Sequence, residues 1–230
     1  PNLGWVDVPV AALLAEATGM DVRLENDALC AAIGEMRFGA GKGARSAFVL
    51  TLGTGVGGAL IVDGRLVRGP DGSAGHLGHM VLDPDGPPLH PGNPGSVEAM
   101  CSATGLMRRA REIAEASEDA ANLEVARCAT AQQLYRCAVD GNPLAVGLFR
   151  DLGRSLGVLS ASLANALNPE VGIFLGGLSH AWPLFAPEME AELEGRALPI
   201  ARRRLRLTRG TLGDEAGVLG AAQLAGEILT

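Results

Sequence analysis

The stretch LTLGTGVGGALIVDGRLVRG, residues 50–69, constrains this chain more than any other. Four of the six residues from Gly53 to Gly58 are glycine, directly after a run of strand-forming side chains. A helix does not cross such a run, because each internal glycine costs it about 1 kcal/mol relative to alanine. The chain must turn there and return as a second strand. Asp63-Gly64, between apolar stretches, then marks a tight hairpin turn. Strands are therefore expected at about 47–52, 57–62 and 65–68. Such a turn also lets backbone N–H groups approach a phosphate without interference from a Cβ, and Thr54 adds a hydroxyl. The segment continues into a strand, so it is neither the G-x-x-x-x-G-K-[ST] nor the G-x-G-x-x-G fingerprint in its βαβ setting. By spacing alone, a phosphate cradle and a plain glycine-rich turn both stand.

Around this segment the pattern is α/β. Residues 21–25 (DVRLE) read as a short strand entering a helix at about 27–38, with Asn26 or Asp27 as its cap. Helical periods cover about 97–117, 130–139 and 142–166, the last ending at Asn168-Pro169, where proline disfavours helical geometry in its predecessor. VGIFLGG at 171–177 is a short buried strand closed by a double glycine, followed by a helix near 182–195. RLRLTRG at 204–210 alternates like a strand, and a final helix begins near Asp214. Between Asp71 and Ser96 the sequence is dense in Gly and Pro, holds three of the four histidines and has no period, the mark of a functional loop.

With 230 residues, 47% of them hydrophobic, the chain can bury a substantial core. Its formal charge of -7 leaves no basic patch for a nucleic-acid backbone or an anionic membrane, so neither is expected as a partner of this segment. No apolar run reaches the roughly 18 to 20 residues a membrane span needs, and the first residues do not read as a signal peptide, so a cytoplasmic protein is expected. Cys30, Cys101, Cys128 and Cys137 form no CxxC pair and read as buried, reduced thiols.

Several side chains could carry chemistry. Asp27, at a strand-to-helix junction, could take a proton from an attacking hydroxyl, or it or Asn26 could simply cap the helix. Glu98 opens a helix, where a carboxylate is favoured whatever it binds. His76, His79 and His90 invite a zinc reading, but no thiolate lies between His79 and Cys101, and hydrogen bonding to a small polar ligand suits them better. Gly176-Gly177 repeats the glycine signal in weaker form.

LENDA, RFGAGKGAR at 37–45, LTLGTGVGGALIVDGRLVRG, AGHLGHMVLDPDGPP, SVEAMCSATG, LNPEVGIFLGGLS and DEAGVLGAA follow one another in an order that resembles the ROK family of sugar kinases and sugar-responsive repressors, its glucokinase-like group above all. The resemblance implies an actin-like ATPase (ribonuclease H-like) fold with sugar in a cleft between two lobes and ATP with magnesium on the C-terminal lobe. Residues 1–40 would be a remnant of the N-terminal sugar-binding lobe, and residues 41–230 a complete C-terminal ATPase lobe with the sugar-binding loop. Asp27 would be the general base for phosphorylation of a hexose, glucose by default, at its C6 hydroxyl. Asn26, His76, His79 and Glu98 would hold other hydroxyls, and Gly53, Thr54, Gly55, Gly57, Gly176 and Gly177 would face ATP. A homodimer or homotetramer is also implied.

The chain departs from the family in three ways. The N-terminal D-x-G-G-T phosphate loop is absent from it. Leu89 to Ser96 stand in place of the cysteine cluster C-x-C-G-x-x-G-C, so no structural zinc is expected. His76 occupies a position where glutamate is common, and a neutral imidazole donates as well as accepts, leaving mannose and N-acetylated hexosamines open as substrates. Two other readings are carried forward: the sugar-sensing domain of a repressor, and a catalytically incompetent fragment.

Overall fold

The computed structural model describes residues 5–89, 93–116 and 119–226. Its frame is a five-stranded mixed sheet in the order β3-β2-β1-β4-β5. Strands β1 (Ala47–Leu52), β2 (Val56–Val62) and β3 (Arg65–Leu66) form the expected antiparallel meander, with Ile61 opposite Leu66 and Val62 opposite Arg65. Asp63 and Gly64 supply the two positive φ angles, 51° and 77°, that a right-twisted two-residue hairpin requires. Strands β4 (Val171–Leu175) and β5 (Arg206–Arg209) extend the sheet in parallel from β1.

Alternation along β1 divides its side chains between two apolar layers. Phe48, Leu50 and Leu52 enter the larger core, with Phe174 of β4 and the buried faces of α7 (Pro143–Leu167) and α8 (Trp182–Arg196). Ala47 and Val49 enter a second layer with Ile61, Ile173 and, from α2 (Asp27–Phe38), Leu29 and Ala32. Aromatic residues are only 3% of the chain, yet Phe48, Phe174, Trp182 and Phe185 stack in sequence, tilted or edge to face, at centroid distances of 6.0, 5.6 and 5.5 Å. The scarce large side chains are thus concentrated where β1 and β4 meet α8.

Local signals set the helix boundaries. Asn142 Oδ1 accepts from Ala145 N at 3.1 Å, Pro143 begins α7, and Asn168 ends it in the left-handed region at φ 47°. The period expected over 97–117 is two helices, α3 (Val97–Cys101) and α4 (Ala103–Glu115). Ser102 takes an extended conformation and caps α4 by accepting from Gly105 N at 3.0 Å, so a local side-chain bond outcompetes the continuous helix. Helix α5 (Ala120–Ala126) has no counterpart among the expected elements, and α6 (Ala131–Val139), α9 (Pro199–Arg202) and α10 (Glu215–Gly226) complete the described residues. The strand expected at 21–25 is absent. This segment has no regular structure and pairs with no strand of the sheet among the described residues, and a strand is defined by its ladder partner. Helix α1 (Val10–Thr18) buries none of its residues.

All four cysteines are free and buried, with Cys128 Sγ and Cys137 Sγ 3.5 Å apart. Burial pushes the Cys101 thiol up to about 12 and, aided by contact with Cys137, the Cys128 thiol up to about 11. Burial also raises Cys30, with the charges of Glu25 and Asp27 adding to it. Thiolate is the reactive form. A colorimetric disulfide reagent at pH 8 is therefore expected to titrate no thiol rapidly in the native protein and all four in denaturant; a rapid native thiol would contradict this burial. No helix among the described residues is long and apolar enough to cross a membrane.

Candidate active site

The expected site residues sit on separate segments that meet at the turn between β1 and β2. Asn26 is the cap of α2: its Oδ1 accepts from Ala28 N at 2.9 Å and Leu29 N at 3.2 Å. Asp27 is the first helical residue, and its Oδ1 accepts from Ala28 N at 2.7 Å. Capping by Asn26 thus leaves Asp27 Oδ2 without a partner among the described residues. The entry to α2 is fixed by Glu25, which accepts from Arg68 and from Asn26 N. Burial alone would raise the Glu25 carboxyl, but these bonds and the charges of Arg68 and Arg23 outweigh it and hold the group below the ordinary carboxylate range.

Val56 and Gly57 are where the segments converge. A Cβ on Gly57 would lie 2.8 Å from Ala28 Cβ, so β2 and the first turn of α2 are in direct contact. Glu98 Oε2 accepts from Val56 N at 2.7 Å, holding α3 to the turn and leaving Oε1 for another donor. On the loop after β3, a Cβ on Gly78 would lie 2.1 Å from Val56 O, so the short 3-10 turn Leu77–His79 rests on the same residue. His76 and His79 flank that contact, both exposed, with ring centroids 6.0 Å apart. Asp27, Glu98, His76 and His79 are therefore carried by three segments anchored to two adjacent residues.

The glycine-rich turn is itself closed. Gly53 N donates to Gly55 O at 3.0 Å, Ala103 N to Gly53 O at 2.8 Å, and Thr104 Oγ1 to Thr54 O at 2.8 Å. Gly176, at φ 82°, lies against the end of β1, where a Cβ would be 2.5 Å from Leu52 O. Two clefts open from this end of the sheet. One, of about 310 Å³, is lined by Asp27, Thr51, Gly176, Gly177, Arg209 and Asp214. The other, of about 540 Å³, is lined by Gly53, Thr54, Tyr135, Phe149 and Leu178 and is more apolar. Gly177 and His180 line both, so the clefts adjoin. Among the described residues, no group of three or more His, Cys, Asp or Glu is arranged to hold a metal; His90, Pro91 and Gly92 lie outside them.

Thr51, Tyr135, Phe149, His180, Arg209 and Asp214 are site-lining residues that the sequence motifs do not single out. Thr51 carries a signal as the polar side chain of an otherwise apolar strand, and Asp214 as the start of DEAGVLGAA. Glu35 lines neither cleft but braces α2. It is fully buried, accepts from Ala40 N at 2.8 Å and Leu212 N at 2.9 Å, and ties the far end of α2 to the loop before α10.

The sequence matches the ROK family over residues 1–228. This chain belongs to the ROK family. A glucokinase from Halalkalibacterium halodurans is 37% identical over 227 residues, 97% of this chain and 69% of that protein. A ROK glucokinase from Streptomyces griseus, solved with glucose and AMPPNP, superposes with a TM-score of 0.85 at 32% identity, covering 97% of this chain and 74% of that one. A ROK transcriptional regulator, a homolog of the E. coli Mlc protein, superposes with a TM-score of 0.84 at 28% identity over 94% of this chain and 55% of its own. The fold is thus the α/β, actin-like ATPase fold of the ROK sugar kinases, and this chain spans part of the length of each relative. The relatives it matches include both sugar kinases and a transcriptional regulator.

Proposed function

We propose that this ROK protein transfers the γ-phosphoryl group of ATP to the C6 hydroxyl of a hexose, with Asp27 as general base. The observation that carries the reading is the cleft lined by Asp27, Gly176 and Gly177, adjoining an apolar cleft edged by Gly53 and Thr54. A carboxylate for a hydroxyl proton, a glycine-lined passage for phosphates and an apolar pocket of nucleoside size adjoin one another. In this reading Asp27 Oδ2 accepts the C6 proton as the C6 oxygen attacks the γ-phosphorus, and the bond to the bridging oxygen breaks to release ADP. Asn26 Nδ2, Glu98 Oε1, His76 and His79 bind the other hydroxyls. Gly53, Thr54, Gly55, Gly57, Gly176 and Gly177 together face ATP.

Magnesium bound with the nucleotide would spread the charge on the transferring group. The carboxylate of Asp214 in the cleft would suit a hard cation that keeps most of its ligands as water and phosphate. We place the lobe division at residue 40, with α2 joining the two parts through its contacts with the sheet and α10. Glucose is the first substrate to try, and ATP as donor implies the cytoplasm. A homodimer or homotetramer is the expected assembly.

The regulator superposition favours a second reading, a sugar-sensing domain without phosphoryl transfer. Calorimetric titration separates the two. The kinase reading expects binding of both AMPPNP and one of glucose, mannose or an N-acetylated hexosamine; sugar binding with no nucleotide binding would favour the sensor.

A further inference from the structure

The cleft that holds Asp27 contains a cationic group that neither the sequence motifs nor the proposed mechanism uses. Arg209 is half-buried on β5, and its Nε is enclosed by protein without a hydrogen-bond partner. That N–H is out of a ligand's reach, so a ligand can meet only the terminal nitrogens of the guanidinium. Its Nη2 donates to His180 Nδ1 at 3.2 Å. Arginine has no acceptor, so His180 Nδ1 must accept and the ring proton sits on Nε2, which gives the pair a second outward donor. No carboxylate among the described residues forms an ion pair with Arg209, although Asp27 and Asp214 line the same cleft. Its charge is therefore not cancelled by a direct contact.

The pair stands where the two clefts adjoin: Arg209 lines the Asp27 cleft, and His180 lines both. Gly177, three residues before His180, lines both as well. An anion passing from the apolar cleft toward Asp27 passes these groups. Two carboxylates in the Asp27 cleft repel an unaccompanied polyanion, and Arg209 is the arginine that lines it. A planar guanidinium fork suits phosphate oxygens better than a point charge does.

We infer that Arg209, oriented by His180, binds the β- or γ-phosphate of the nucleoside triphosphate beside Asp27. The inference rests on the ATP-site reading above and adds to it the residue that makes the site prefer tri- over monophosphates. Arg209 contributes affinity for the phosphate chain and none for the sugar or the base.

The test is the affinity of wild type and Arg209→Gln for AMP, ADP and AMPPNP with magnesium, by calorimetry. Arg209→Gln is expected to weaken AMPPNP about 10- to 100-fold, the range for a lost charged hydrogen bond, while AMP and sugar affinities stay within about threefold. Arg209→Lys, which keeps charge and loses the fork, is expected to fall between them. AMPPNP binding by Arg209→Gln within about threefold of wild type overturns the inference and leaves the ATP site standing. Wild type that binds sugar but no adenine nucleotide overturns both. Should Arg209→Gln fail to fold, His180→Gln carries the test: a loss of about 3- to 10-fold specific to AMPPNP supports the pair, and no loss overturns it.

Discussion

Asp27→Asn is expected to lower kcat for hexose phosphorylation by about 10²- to 10⁴-fold, the range for removal of a general base. The substitution is nearly isosteric. Helix α2 is capped by Asn26, through Ala28 N and Leu29 N, and that cap survives. The amide oxygen introduced by the substitution can still accept from Ala28 N, as Asp27 Oδ1 does at 2.7 Å. What disappears is the ability of the second atom to accept a proton, because an amide nitrogen only donates. Sugar affinity is therefore expected to stay within about tenfold of wild type, since one cleft-facing hydrogen bond changes polarity while Asn26, Glu98 and the histidines remain. Turnover within a few-fold of wild type would remove Asp27 from the chemistry and return it to the role of a helix-start carboxylate.

Gly220→Ala is expected to damage the fold heavily for so small a change. Helices α2 and α10 pack backbone to backbone: a Cβ on Gly220 would lie 1.7 Å from Cys30 O, and one on Gly34 2.1 Å from Ala216 O. Neither contact involves a flexible side chain that can swing away, so an added methyl must push the helices apart. Overpacking of this kind costs about 3 kcal/mol, the upper end of the usual range and a large part of a domain's net stability. The displacement also reaches the site, because α2 carries Asp27 at one end and Glu35 anchors the other to Leu212 N. Chemical denaturation is expected to show the loss as a lower midpoint with an unchanged slope. A midpoint equal to wild type would mean that the two helices are less closely packed than this.

The features legible in the sequence are those set by a few adjacent residues. Asp63-Gly64 fixes a hairpin because its two φ angles are local, and Asn168-Pro169 ends α7 for the same reason. The fully buried strand Val171–Leu175 shows as an unbroken apolar run. The strand read into 21–25 fails because strandedness there depends on a partner that residues 21–25 do not specify. Ser102 splits a helix whose apolar period runs straight through it, since one side-chain bond to Gly105 N outweighs the period. The site divides along the same line. Asp27, Glu98 and the glycines stand out through motifs whose order resembles a family. Arg209 and His180 come together only because β5 lies beside β4, and nothing near either residue announces the other.

Sugar-dependent ADP release by the complete gene product carrying this chain tests the kinase reading most directly. With ATP and magnesium, and with glucose, mannose or N-acetylated hexosamines supplied in turn, ADP is expected in step with a hexose 6-phosphate for at least one sugar. Saturable sugar binding with no ADP from any of them would contradict that reading and leave a sugar sensor built on a kinase fold.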